Sequence, residues 1–150
     1  MKKLSALSLI VLIIILSCSG CGDKNNVSEV DDKNTVKITE KLYLSYINDI
    51  YTNPEDYLGK TIELEGMFGF ELWEDKAYNY VYRIGPGCCG NDGAMCGFEF
   101  TTDNDLPNSN DWIKVSGTLE QYEEDGYKIL TLSNSSITVL EKRGKENIEI

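Results

Sequence analysis

The feature that most constrains this fold is a series of short segments, from Thr61 to Leu140, in which apolar and polar residues alternate. A two-residue period is typical of strands with one buried face. Glu124-Asp125-Gly126 indicates a hairpin turn, and Gly117 indicates a bulge or bend. We predict a mainly β fold, a small OB-like barrel of five or six strands. The predicted strands are 61–70, 78–84, 97–102, 111–122, 127–132 and 137–140.

One amphipathic helix is predicted ahead of the barrel. Between Ile38 and Tyr51 apolar residues recur three and four positions apart, which marks one face of a helix, and Thr39 is a suitable N-cap. Asn53-Pro54 ends the helix, because the residue before a proline avoids the helical region. We therefore place the folded domain at residues 37–141. A polar tail follows at 142–150, and we expect it to fray.

The N-terminal segment, residues 1–17, is typical of a secretory signal. Lys2 and Lys3 precede an apolar run from Leu4 to Leu16. A helix of that length covers roughly 20 Å, less than the ~30 Å hydrocarbon core, so a cleaved signal is favoured over a short uncleaved anchor helix. Residues 18–36 are polar and charged, and they predict a flexible tether.

Two cysteines at the end of this segment, Cys18 and Cys21, each follow small residues. The pattern resembles the lipobox of lipoproteins, in which a peptidase cleaves before a cysteine that carries diacylglycerol. Ile15, three positions upstream, favours Cys18 as the lipidated residue, and the smaller residues before Cys21 make it the alternative. Two or three acyl chains, palmitate among them, form a durable anchor. We therefore expect a lipoprotein on the extracytoplasmic face of the cell membrane.

Composition excludes several classes of function. The chain contains no histidine, which removes Ser-His-Asp and Cys-His catalysis and the commonest metal ligand. No other catalytic constellation is recognisable, so we do not expect an enzyme. The net charge of −11 opposes binding to phosphate backbones, so we predict no nucleic acid partner.

A glycine-rich segment between two predicted strands carries three cysteines, Cys88, Cys89 and Cys96. Thiolates suit Zn²⁺ or Cu(I), and glycines let the chain turn so that close cysteines face one ion. Asp92 supplies an oxygen ligand, and three thiolates with one carboxylate would form a tetrahedral zinc site. Met95 adds a thioether if the ion is Cu(I). We call this set, Cys88, Cys89, Asp92 and Cys96, the cysteine loop.

Two other interpretations of the cysteine loop stay open. The spacing differs from that of zinc fingers, and exported proteins favour disulfides, so Cys88 or Cys89 could instead be joined to Cys96 as a staple. A redox thiol is the third interpretation, with Arg83 lowering a cysteine pKa. Outside the loop, residues 102–111 are rich in Asp and Asn, which favours turns over a calcium site. The many tyrosines, with Trp73 and Trp112, are either core and rim residues or a ligand-binding face.

Three blocks of sequence carry a family resemblance. Residues 53–66 lead into the first long strand, Cys88-Cys89-Gly90-Asn91-Asp92 fits a Cys-Cys-x-x-Asp pattern, and residues 110–120 fit the strand that follows. Together they resemble the C-terminal domain of an uncharacterised family of bacterial membrane proteins, often encoded beside a predicted permease. The resemblance covers roughly residues 45–140 and implies an OB-like fold and a role for Cys88, Cys89 and Asp92. It implies no reaction. This chain differs in having a lipoprotein signal in place of transmembrane helices, and in having Cys96.

These observations predict a lipid-anchored extracytoplasmic binding protein that holds a soft metal ion in the cysteine loop. The alternative is a disulfide-stapled structural or interaction lipoprotein of the cell envelope. The expected partners are the membrane, through the lipid, and a permease or an envelope protein.

Overall fold

The computed structural model describes residues 34–86 and 93–148. Short 3-10 turns occur at Glu40–Leu42 and Pro54–Asp56, before and after the helix α1, Tyr43–Thr52. The strands are β1 (Thr35–Lys37), β2 (Thr61–Trp73), β3 (Lys76–Gly85), β4 (Ala94–Phe100), β5 (Trp112–Glu124) and β6 (Tyr127–Val139).

The sheet closes on itself. Its strand order is β1-β2-β3-β4-β6-β5, and β5 also pairs with β2, so five strands form a barrel and β1 lies outside it. All pairings within the barrel are antiparallel except β4 with β6, which is parallel over two residues only. This confirms the predicted mainly β, OB-like barrel with one helix before it.

The core fills the barrel from alternate positions of each strand, as the sequence pattern requires. On β2 the buried side chains include Ile62, Leu64 and Phe68, and on β4 they are Phe98 and Phe100. Ile47 and Ile50 of α1 join the same cluster. The helix therefore contributes its apolar face to the barrel core.

Two hairpins extend from one end of the barrel. Glu74 and Asp75 join β2 to β3, and Asp125 and Gly126 join β5 to β6; all four residues have positive φ. Two-residue turns of that geometry match the right-handed twist of the flanking strands. The predicted turn at residues 124–126 is confirmed.

The predicted strands 127–132 and 137–140 are one strand, β6, in the structure. Its pairing with β5 shifts between Ser116 and Thr118, which confirms the irregularity predicted at Gly117. Asn134, with φ +50°, bends β6 opposite this point. Because Asn tolerates a left-handed conformation, the strand continues past a residue that resembles a turn in the sequence.

The start of the domain also differs from the prediction. Thr35 and Val36, assigned to the tether, pair with Thr61 and Ile62 as strand β1. The 3-10 turn delays the α-helix to Tyr43, and the side chain of Thr39 forms no capping hydrogen bond. A strand of three residues is too short to produce a recognisable alternation in the sequence.

Arg83 of β3 points into the barrel and is only 2% exposed. Its Nε donates to the backbone oxygen of Glu65 at 2.8 Å, and its Nη1 donates to the backbone oxygen of Lys145 at 3.1 Å and to Glu40 Oε2 at 3.3 Å. The guanidinium carbon lies 4.7 Å from the centre of the Tyr43 ring and 4.9 Å from that of Trp112. Arg83 therefore joins β2, β5, α1 and the C-terminal tail.

The C-terminal tail, which we expected to fray, is held against this arginine. Ile84 N–H donates to the Glu146 carbonyl and Ile148 N–H donates to the Ile84 carbonyl, each at 2.8 Å. Lys145 N–H donates to Glu40 Oε2 at 3.0 Å. Composition alone could not show this, because the tail is held mainly through its backbone.

We expect Arg83→Leu to lower the free energy of unfolding by about 3 kcal/mol, because buried carbonyls left without a donor cost about 1–3 kcal/mol each. Urea denaturation checks this. The matched control is Arg143→Leu: Arg143 is 41% exposed and pairs with Glu146, so less than about 1 kcal/mol should be lost. Equal losses in the two variants would contradict the role assigned to Arg83.

Candidate functional site

The structure describes one member of the predicted cysteine loop. Cys88, Cys89 and Asp92 lie outside the described residues, as do the lipidation candidates Cys18 and Cys21. Cys96 is the third residue of β4 and is half-buried. Within residues 34–86 and 93–148, no group of three or more Cys, Asp or Glu side chains is placed to hold a metal ion.

Cys96 faces the barrel side of β4 and packs against the hydrophobic core. It pairs in register with Arg83, and its Sγ lies beside Gly85, where a side chain would collide with it. Its carbonyl accepts a hydrogen bond from the Tyr43 hydroxyl at 3.1 Å. Any metal site at the cysteine loop would therefore begin at the barrel wall, next to a buried arginine.

Met95, suggested as a thioether ligand, lies on the other side of the strand. Consecutive residues of a strand face opposite sides, and Met95 is 57% exposed where Cys96 is packed. The structure therefore does not bring Met95 and Cys96 to one ion. Met95 lines a groove instead.

This groove, which we call the tyrosine groove, has a volume of about 500 Å³ and lies on the outer face of β3 and β4. The two hairpins flank one end of it, and Tyr51 of α1 flanks the other. Tyr and Trp side chains share the lining with three carboxylates. The lining residues are Tyr51, Glu71, Trp73, Tyr78, Tyr80, Tyr82, Met95, Gly97, Phe98, Glu99, Glu124, Ile129 and Leu130.

Strand alternation places the tyrosines. Tyr78, Tyr80 and Tyr82 occupy every second position of β3, so all three face outward while Val81 and Arg83 face the core. Two glycines on the neighbouring strands, Gly69 and Gly97, leave space that a side chain would fill. A Cβ at Gly69 would lie 2.8 Å from the Tyr82 ring, and one at Gly97 would collide with the backbone of Val81. The floor of the groove is therefore backbone and aromatic ring.

The helix fixes the other wall of the tyrosine groove. The Tyr51 ring stacks on Phe98 with ring centres 5.4 Å apart and planes within 4°. Its hydroxyl donates to the Gly97 carbonyl at 3.0 Å. Because β4 pairs with β6 only at Glu99 and Phe100, the helix covers β4 where that pairing is missing.

Three carboxylates give the tyrosine groove its charge, and two of them are held by neighbours. Glu124 accepts from the Tyr78 hydroxyl at 3.1 Å and pairs with Lys76 at 2.5 Å. Glu99 accepts from the Tyr122 hydroxyl at 2.8 Å. The side chain of Glu71 has no hydrogen-bond or ion-pair partner among the described residues.

The tyrosine pKa values respond to this environment. Burial is the main cause that raises the pKa of Tyr51 to about 12, and the negative charge of Glu99 contributes. The pKa of Tyr80 is also raised, first by burial and then by Glu71 and Glu99. Tyr51 and Tyr80 therefore stay neutral at physiological pH.

The aromatic residues divide between the core and the tyrosine groove. Tyr43 and Trp112 are core residues, whereas five aromatic side chains of β2, β3 and α1 line the groove. The alternation Tyr78-x-Tyr80-x-Tyr82 was the signal in the sequence that could have found the face. In the 102–111 segment, Asn108 N–H donates to Asp111 Oδ2 at 2.9 Å, as expected for a turn.

Comparisons with known proteins give a family and no reaction. A family model described as the DUF1980 C-terminal domain matches residues 21–146. The UPF0703 protein YcgQ of Bacillus subtilis (strain 168) is 30% identical over 98 residues, which are 64% of this chain and 34% of that protein. The match thus spans about a third of that relative's length. No solved structure matches the chain significantly. Within the part of the chain that the structure describes, no helix has the length and apolar character to cross a bilayer.

We expect Tyr51→Phe to change the pH dependence of stability. A pKa raised in the folded state favours folding below pH 10, and that contribution is lost as the pH rises from about 10 to about 12. Urea denaturation at intervals from pH 9 to pH 11.5 should show a shallower decline for this variant than for the parent. Tyr127→Phe, at a residue 74% exposed, is the control and should follow the parent. Parallel declines for all three proteins would contradict the assignment.

Proposed function

The chain belongs to the DUF1980 C-terminal domain family, and we propose that it is a lipid-anchored binding protein on the extracytoplasmic face of the cell membrane. The observation that carries the binding role is the tyrosine groove, a concave surface of about 500 Å³ with aromatic walls and a few convergent polar groups. Ligand sites in proteins have this character. The lipid anchor is supported by the sequence alone, through the apolar run and the cysteines that follow it.

The cysteine loop is proposed as a second binding element, for Zn²⁺ or Cu(I). It is supported by three cysteines within nine residues and by the position of Cys96 three residues into β4. Soft ions prefer thiolates, and a site next to the barrel wall would be held by a rigid element. On this proposal the domain captures an ion at the membrane surface and transfers it to a partner, for which a permease is the candidate.

The disulfide staple is the second candidate for the same residues. Cys88 and Cys89 are each within eight residues of Cys96, and exported chains are oxidised. The domain would then be an interaction module of the envelope, and the cysteines would stabilise its β3–β4 connection.

Native mass spectrometry tests these alternatives. We expect the chain from residue 31 onward, purified anaerobically without chelator, to carry the mass of one metal ion that is lost in acid. Cys88→Ser/Cys89→Ser should abolish the excess, because two thiolates are removed. Ser109→Ala, far along the chain from the loop, is the control and should retain it. A mass two protons light with no ion would overturn the metal site in favour of the staple.

Metabolic labelling with palmitate tests the anchor. We expect the full chain to incorporate label and to fractionate with membranes. Cys18→Ser should abolish both, because the diacylglycerol is attached through the sulfur of that cysteine. Cys21→Ser is the matched control. If only Cys21→Ser loses the label, the alternative lipidation site is correct. An unlabelled parent chain in a soluble fraction would contradict the lipoprotein proposal.

A further inference from the structure

We propose that the tyrosine groove binds an organic ammonium ligand, a small molecule that carries a primary or quaternary ammonium group. The inference rests on the proposed binding function but not on the cysteine loop. Three features of the groove support it. Aromatic side chains line it, carboxylates outnumber cations in it, and at one end the ammonium group of Lys76 contacts two tyrosine rings and a carboxylate.

Aromatic side chains line the walls of the groove. Tyr80 and Tyr82 form the β3 side, Trp73 rises from the hairpin between β2 and β3, and Tyr51 forms the helix side. Trp73 is 63% exposed, although it is the largest apolar side chain of that hairpin. The negative face of an aromatic ring attracts a cation within about 6 Å of its centre, and indole attracts it most strongly.

The charge of the tyrosine groove selects a cation. Glu71, Glu99 and Glu124 line it, and Lys76 neutralises only Glu124. Glu71 is without an ion-pair or hydrogen-bond partner in the described part of the chain, so its carboxylate is available to a ligand. Phosphate and carboxylate ligands would be repelled.

Lys76 shows how an ammonium group is held on this surface. Its Nζ lies 4.6 Å from the centre of the Tyr78 ring and 5.3 Å from that of Tyr122, and it pairs with Glu124. Two tyrosine faces and one carboxylate thus enclose an ammonium at the hairpin end. The same groove is also lined by two further aromatic rings, those of Trp73 and Tyr80, and by Glu71, whose side chain has no ion-pair partner among the described residues.

The depth of the groove favours a small ligand over a flat protein surface. Its volume of about 500 Å³ exceeds that of a single ammonium group and leaves room for an attached chain or ring. Met95, Ile129 and Leu130 provide apolar contact for that remainder. The ligand is therefore an amine with an apolar or polyamine body.

Fluorescence and calorimetric titration of the full chain, in micelles of a sugar-free non-ionic detergent, test the proposal. The probes are choline and spermidine, and 3,3-dimethyl-1-butanol is the neutral isostere of choline. We expect at least one of the two amines, choline and spermidine, to bind and to change tryptophan fluorescence. The amine that binds should do so at least tenfold more tightly than the isostere. Added salt should weaken binding, because charges attract less strongly when screened.

Variants locate the site. Glu71→Gln should weaken binding at least fivefold, and Trp73→Leu should weaken it and remove most of the fluorescence change. Glu123→Gln is the matched control, because Glu123 is exposed on the opposite face of β5 from Glu124 and should leave binding unchanged. All three positions are exposed or partly exposed, and circular dichroism should show the parent fold.

The outcomes separate this inference from the metal site. Cys88→Ser/Cys89→Ser should still bind the ammonium probe; if it does not, the tyrosine groove is not the site. The ammonium assignment is wrong if neither amine binds, or if the amine that binds does so no more tightly than the isostere. Binding of cellobiose by a chain that binds neither amine would indicate a sugar site. A parent chain that binds choline or spermidine but carries no metal ion would refute the cysteine-loop proposal alone.

Discussion

The structure depends on one buried cation. Arg83 is near the C-terminal end of β3 and is buried. Its guanidinium lies over the rings of Tyr43 and Trp112, and it donates to carbonyls of β2 and of the C-terminal tail. A buried charge without partners would be costly, so the helix start and the tail must be in place for the barrel to tolerate it. The acidic partner, Glu40, is 46% exposed and also accepts from Lys145 N–H. Arg83 of β3 thereby holds both the segment before α1 and the C-terminal tail.

Strand β4 then separates two environments. Its inward residues, Cys96, Phe98 and Phe100, belong to the core, and its outward residues, Met95, Gly97 and Glu99, belong to the tyrosine groove. This division follows from the two-residue period of a strand. It also explains why two neighbours in the sequence, Met95 and Cys96, have different surroundings. Cys96 and the tyrosine groove are therefore on opposite sides of one strand.

The long strands give the groove its depth. β2 and β5 each run for 13 residues, beyond the length that the barrel buries, and their hairpins extend past the core. Phe70, Leu72 and Trp73 are accordingly at least half exposed, although all three are large apolar side chains. Lys76 and Glu124 join the two hairpins across the gap. An ion pair of exposed groups contributes little to the free energy of unfolding, so the hairpins depend mainly on their own strand pairing.

The sequence by itself determined the strands, the helix, the turn at residues 124–126 and the irregularity at Gly117, because these depend on local periodicity and on residues with particular backbone freedom. It also indicated an OB-like barrel and the candidate cysteines. Tertiary structure alone decided that Arg83 is buried, that residues 145–148 are held and that β1 forms, since each needs partners distant in the chain. It also decided which aromatics are core and which line the groove. Alternation assigns a tyrosine to a face, but only the closure of β5 on β2 determines which face is the inside of the barrel.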